Sequence, residues 1–256
     1  MVLRESPIAI EREGAPGAVV FVCEHASCRL PEELGTLGLD DRALRSHIAW
    51  DIGALDLARG LADAVDGTVC YQRFSRLAYD CNRPPEASSA IVGRSETYDI
   101  PGNQGLDPAQ RSARVKGIYL PFRDGLAALL ERRQAAARAT VLVTVHSFTP
   151  VYFGTPRQVE IGILHDSDTR LADAMLAEAQ QMGSSFVVRR NEPYAPTDGV
   201  THTLVEHGIK RGIPNVMIEV RNDLLVKGAM LDPVVEYISN MLNGAMSNTG
   251  SSSVRI

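Results

Sequence analysis

Along the chain, apolar runs that stop abruptly at acidic or imidazole side chains alternate with stretches of helical periodicity. GAVVFVCEH, residues 17–25, is a run of β-branched and small apolar residues bounded by Gly17 and by polar residues, which predicts a short buried strand. Residues 40–65 place Leu44, Ile48, Ile52, Leu55, Leu57 and Leu61 near helical spacing, with Asp40 or Asp41 as N-cap, so a helix or a broken helix pair is expected. TVCYQRF, residues 68–74, is a second strand. The following residues 75–107, rich in Asn, Pro, Ser and Gly, form a loop region of a length that is usually functional in compact domains. Residues 108–139 carry Tyr119, Phe122, Leu126, Leu129 and Leu130 on one stripe and predict a helix.

The second half repeats the alternation. TVLVTVHSFTP (140–150) and EIGILHDSD (160–168) are continuous apolar runs with a His near each end, as expected of strands buried on both faces. Residues 169–183 form a helix closed by Gly183, residues 185–194 a strand entering a polar loop, and residues 199–212 a helix ended by Gly212. IPNVMIEVRNDLL (213–225) gives a last buried strand and residues 234–246 a closing helix. Strands alternating with helices predict an α/β layered domain around a central sheet. No internal repeat or linker divides it, so residues 1–246 are expected to be one domain, with a Ser-rich, disordered tail at 247–256.

Composition narrows the function classes. With 256 residues and 45% hydrophobic content the chain can bury a sizeable core. A net charge of -5 with no lysine-arginine run gives no electrostatic footprint for nucleic acid or an acidic membrane. No apolar run approaches the roughly 20 residues of a membrane span, and the N-terminal residues lack a signal pattern. Cys23, Cys28, Cys70 and Cys81 form no CxxC pair, which favours a reducing compartment, so a cytoplasmic location is expected.

The chemistry concentrates where strands end. In open α/β sheets ligands bind beyond the carboxyl ends of the strands. Glu24-His25, His146-Ser147 and Glu219-Val220-Arg221 are three such ends, and two histidines with several carboxylates are the inventory of a catalytic zinc site. A strand-terminal His can also simply bond a backbone carbonyl, and His47, His165, His202 and His207 are assigned mainly structural roles, with His202 also a candidate substrate contact. In LAYDCNRPP, Asn82 and Arg83 form either a turn with a solvated arginine or a fork for a substrate carboxylate. Glu219, in an otherwise apolar strand, needs a partner: either Arg221, on the same face by strand period, satisfies it, or it serves as a general base whose pKa burial raises.

Together the motifs CEHAS, AWDIGA, DCNRP, VHSFTP, DGVTHTLVEHG and IEVRNDL, spanning residues 23 to about 224, resemble the N-formylglutamate amidohydrolase family. That family resembles, more distantly, the zinc carboxypeptidases and aspartoacylase-like deacylases. The resemblance implies an α/β fold, a three-layer α/β/α sandwich with a mixed central sheet of phosphorylase/hydrolase-like type. It also implies a zinc ion, or another divalent metal, and a small-molecule N-acyl amino acid as substrate, with N-formyl-L-glutamate giving formate and glutamate. By motif, His25 and His146 correspond to metal ligands, Asn82 and Arg83 to a carboxylate clamp, and Glu219 to the base, with Arg221 or residues 191–198 left to meet a side-chain carboxylate. Cys28 stands where the distant relatives place a Glu ligand; Asp51 of AWDIGA is the replacement, with Glu24 and Cys28 as alternatives. Two rivals follow: a related zinc deacylase or carboxypeptidase-like hydrolase of other specificity, and a metal-free carboxylate-binding protein.

Overall fold

The structure, a computed structural model, describes residues 3–183, 185–228 and 230–250. Seven strands form the central sheet: β1 (Ile8–Glu11), β2 (Val19–Cys23), β3 (Thr68–Gln72), β4 (Val141–Phe148), β5 (Ile161–Leu164), β6 (Val188–Arg190) and β7 (Asn215–Arg221). Their order is β1-β3-β2-β4-β7-β5-β6. Strands β3, β2, β4 and β7 run parallel, β1 is antiparallel at one edge, and the parallel pair β5 and β6 runs antiparallel to β7. The sheet is therefore mixed, as expected.

Helices cover both faces. Alternate residues divide between them: Val19, Phe21, Val143, Val145, Val216 and Ile218 face a core shared with helices α2 (Ala54–Ala64), α5 (Arg170–Met182) and α6 (Leu231–Gly250). Val20, Val22 and Leu142 face the opposite layer, where Phe122, Leu126 and Leu130 come from α4 (Leu120–Ala135). Burial on both faces explains why these strands read as continuous apolar runs. Among the described residues no helix is long and apolar enough to cross a membrane.

Of the predicted helices, the first takes its broken-pair form and two others are interrupted. The stretch 40–65 is a broken pair: α1 (Asp41–Leu44), capped by Asp40 accepting from the Ala43 N–H at 2.8 Å, and α2, separated by a turn in which Gly53 takes φ 82. The stretch 108–139 is α3 (Pro108–Arg114), a wider π-turn at Val115–Tyr119, and then α4. Pro121 lacks the N–H that a continuous α-helix would use, and the wider turn accommodates that loss. Residues 199–212 wind as a π-turn (Leu204–Gly208) and a 3-10 turn (Ile209–Arg211), ended by Gly212 at φ 67 as its sequence suggests. Of the tail expected at 247–256, residues 247–250 continue α6 and residues 251–256 lie outside the described residues.

Candidate metal and substrate site

The face carrying Val22, Leu142 and Met217 turns polar as the parallel strands end. Glu24 follows Val22 by two residues, His146 follows Thr144 by two, and Glu219 follows Met217 by two, so all three project to one face. Register aligns them: Glu219 pairs with His146, and Val22 pairs with Thr144. His25 comes one residue after Glu24, beyond the strand. Asp51 lies on the turn before α2 rather than on a helix, held where its N–H donates to the His25 carbonyl (2.9 Å) and its carbonyl accepts from Ala54 N–H (3.1 Å). Ser147 ties the same turn to β4 by donating its hydroxyl to the Ile52 carbonyl at 2.8 Å.

His25, Asp51 and His146 converge. Asp51 Oδ2 lies 3.2 Å from His25 Nδ1 and 2.9 Å from His146 Nδ1, and one potential ligand atom from each residue falls within 4.8 Å of the others. Each far nitrogen also has a carboxylate beside it, hydrogen-bonded at His25 and at ion-pair distance at His146. His25 Nε2 stands 2.7 Å from Asp80 Oδ1, and His146 Nε2 stands 3.3 Å from Glu24 Oε2. A carboxylate behind each imidazole fixes the ring and leaves Nδ1 to face the common point, the usual backing of metal-ligating histidines. Arg76 binds both neighbouring acids, donating to Asp80 Oδ2 at 2.8 Å and to Asp51 Oδ1 at 3.4 Å.

Charge makes the arrangement suited to a cation. Glu24, Asp51, Asp80 and Glu219 are each at most 5% exposed, as are His25 and His146. Burial alone would lower the His146 pKa, but Glu24 and Asp51 outweigh it and hold the imidazole well above its ordinary value. For His25, burial and Arg76 act downward, and Asp80 and Asp51 prevail to raise it. Burial acts to raise Asp51, yet the two histidines keep it far below the carboxylate range. Four buried acids around one arginine therefore attract positive charge, as protons on the histidines or as a metal ion. Glu24 Oε1 and Glu219 Oε2 have no hydrogen-bond partner among the described residues. The donors fit a divalent cation.

Around this cluster is a pocket of about 240 Å³. Asn82 and Arg83 both line it, as does Glu219, whose pKa burial pushes up to about 7, with Asp51 adding to the rise. The Asn82 amide bridges two segments, donating to the Val200 carbonyl at 2.5 Å and accepting from Thr203 N–H at 3.0 Å, which leaves Arg83 as the freer of the two.

Two expected residues lie elsewhere. Arg221 does not line the pocket: it pairs with Asp223 at 2.8 Å and Glu160 at 3.3 Å. The acids that reach it are Glu160, just before the neighbouring strand, and Asp223, two residues on, rather than Glu219. His202 is likewise absent from the pocket wall, because Tyr119 Oη lies 2.8 Å from its Nε2. Cys28 packs with the small apolar cluster around Ile48 and Leu77 and is not grouped with His25, Asp51 and His146. Asp51 thus stands where an acidic third ligand was expected, and Glu24 behind His146.

Sequence reasoning missed Asp80 and Arg76. Asp80 sits inside the quoted DCNRP motif, and its side chain accepts from Asn82 N–H at 2.9 Å, an Asx-type turn that a D-x-N spacing signals.

Residues 17–226 match the family model described as N-formylglutamate amidohydrolase. A solved structure of the Agrobacterium tumefaciens gene product Atu2144 is 52% identical, with TM-score 0.93, covering 96% of this chain and 97% of that one. The N-formylglutamate amidohydrolase of Ralstonia eutropha JMP134 is 18% identical, with TM-score 0.66, covering 96% and 100%, a likeness of fold. No curated protein matches the chain.

Proposed function

Because the chain belongs to the N-formylglutamate amidohydrolase family, we propose that it is a zinc-dependent hydrolase of N-acyl amino acids, releasing formate and L-glutamate from N-formyl-L-glutamate. What carries this is the convergence of His25, Asp51 and His146 in one pocket with Glu219 and Arg83. Two histidines and a carboxylate are a donor set that zinc accepts in hydrolytic sites. Held there, the ion would supply Lewis-acid polarisation of the amide carbonyl and acidify the attacking water.

The protein's own groups do the rest. Asp80 and Glu24 orient the two imidazoles, and Arg76 fixes the carboxylates of Asp51 and Asp80. Glu219, poised near neutrality by burial, takes a proton from the attacking water and returns it to the leaving nitrogen. Arg83 holds the substrate α-carboxylate, and Asn82 holds the loop that presents Arg83.

The test is formate and acetate release across a panel of N-formyl and N-acetyl amino acids with zinc supplied. N-formyl-L-glutamate is expected to be the best substrate, and a panel inert throughout would overturn the proposal. Metal content of the purified protein, with the zinc-dependent rise in Tm, separates this enzyme from a metal-free carboxylate-binding protein.

A further inference from the structure

The pocket opens into an outer cleft of about 910 Å³, and Arg83, Tyr152, Tyr194 and Val200 line both spaces. Arg157 lines the outer one. Its guanidinium carbon lies 4.5 Å from the ring centre of Tyr152, 5.2 Å from that of Tyr194 and 5.4 Å from that of Phe148. Rings packed around a guanidinium fix its plane and exclude water from its faces, while its N–H edge remains able to bind an anion.

That edge is nearly free. Arg157 donates to the Thr149 carbonyl at 3.4 Å and to Tyr194 Oη at 3.3 Å, two long bonds among its five donors. Among the described residues no carboxylate pairs with it. Other arginines near the site differ: Arg76 is held by Asp51 and Asp80, and Arg221 by Glu160 and Asp223. Arg83 shares the freedom of Arg157, its side chain's one hydrogen bond among the described residues being to the Asn82 carbonyl at 2.8 Å. Among the described residues, two guanidiniums that form no ion pair with a carboxylate thus stand along one continuous cleft, one at the junction with the inner pocket and one outside it.

We propose that Arg157 is a specificity-determining residue that receives a second, distal carboxylate of the substrate, so that the site selects N-acyl diacids over neutral N-acyl amino acids. The assignment rests on the reaction proposed above. With the amide at the histidine cluster and the α-carboxylate on Arg83, the remaining arm of the substrate extends between Tyr152 and Tyr194 toward Arg157. Phe148, Tyr152 and Tyr194 then serve as the walls that keep its guanidinium flat and oriented.

The experiment compares kcat/KM on N-formyl-L-glutamate and N-formyl-L-glutamine for the parent enzyme, Arg157→Gln and Arg157→Lys, all loaded with zinc. Losing a charge-assisted, forked contact is expected to cost the diacid roughly 10- to 100-fold in Arg157→Gln, chiefly in KM, and to collapse the preference for glutamate over glutamine. Arg157→Lys should recover part of that preference. Equal losses on both substrates, or a preference unchanged in Arg157→Gln, would overturn the assignment. Calorimetric binding of glutarate and butyrate separates this from the proposed reaction. If the parent releases no formate, the reaction falls. A glutarate preference present in the parent and absent in Arg157→Gln then still upholds the subsite, and equal affinities in the two proteins defeat it.

Discussion

Asp80 stands 2.7 Å behind the Nε2 of His25, on the side of the ring opposite the Nδ1 that faces Asp51. The carboxylate accepts the Nε2 proton, which fixes the tautomer and leaves the Nδ1 lone pair for a cation. Asp80→Asn keeps the shape but removes the charge. Zinc affinity is expected to fall about 10- to 100-fold, while Asp51→Ala should abolish stoichiometric binding. Competition against a chelator of known affinity measures both, and an Asp80→Asn protein that binds zinc as tightly as the parent would remove Asp80 from the site.

Zinc binding should also release protons. Both histidines are held above their ordinary pKa by the surrounding acids, and a ligand imidazole must be neutral. The raised values mean that a proton remains on these rings to higher pH, so zinc affinity falls as pH falls. Calorimetry in two buffers of different ionisation enthalpy reads the released protons directly, and a buffer-independent heat would contradict the coupling.

Much of this site was legible because strand periodicity survives into function. Glu24 and Glu219 each occupy the next same-face position after an apolar residue, and His146 the one after Thr144, so the change to acidic and imidazole side chains marks the strand ends and the site together. Asp80 and Arg76 were not legible, since they lie in a loop with no period and acquire their roles only by meeting His25 and Asp51 across the fold. Arg157 is similar: its three rings come from β4, from the hairpin at residues 151–156 and from the loop after β6. The edge strand β1 escaped notice because four residues, IAIE, give too short an alternation to stand out.

Glu219→Gln is expected to retain zinc and lose turnover by about 100- to 10,000-fold, the usual contribution of a general base. In the parent, the base works only when ionised. Its pKa of about 7 in the metal-free protein, raised by burial, is drawn down by a neighbouring dication. The acid limb of kcat/KM should therefore lie at or below pH 7, falling tenfold per unit below it. Loss of zinc along with turnover in Glu219→Gln would make Glu219 a ligand instead.

His207 gives a stability prediction independent of metal. Its ring is 4% exposed, its Nδ1 has no partner among the described residues, and burial, aided by Arg211, lowers its pKa to about 4. The unfolded chain, at roughly 6.5, takes up the proton first, so stability is full above that value and is lost as pH falls toward 4. Between pH 7 and pH 5 this group should cost about 2 kcal/mol. Urea unfolding of the parent and of His207→Gln at both pH values isolates that loss, which the variant should lack. Parallel losses in the two proteins would show that His207 does not titrate in this range.

Gly162 ties the sheet to the pocket wall. It pairs with Glu219 across β5 and β7, and a Cβ placed on it would lie 1.9 Å from the Glu192 carbonyl oxygen. The bare strand lets residues 191–194 cross closely above β5, where Asn191 N–H donates to the Ile163 carbonyl at 3.1 Å and Tyr194 reaches the pocket. Since the obstructing atom is backbone, Gly162→Ala must shift the whole segment, at a cost of about 1–3 kcal/mol. Tyr194 would move with it and carry away the hydroxyl that holds Arg157 at 3.3 Å, so KM for the diacid should rise while zinc affinity holds. Gly14→Ala, where an added Cβ meets nothing within 4 Å, is the control and should change stability by less than about 0.5 kcal/mol. If both variants melt alike and bind substrate alike, the close passage of the 191–194 segment over Gly162 does not position Tyr194.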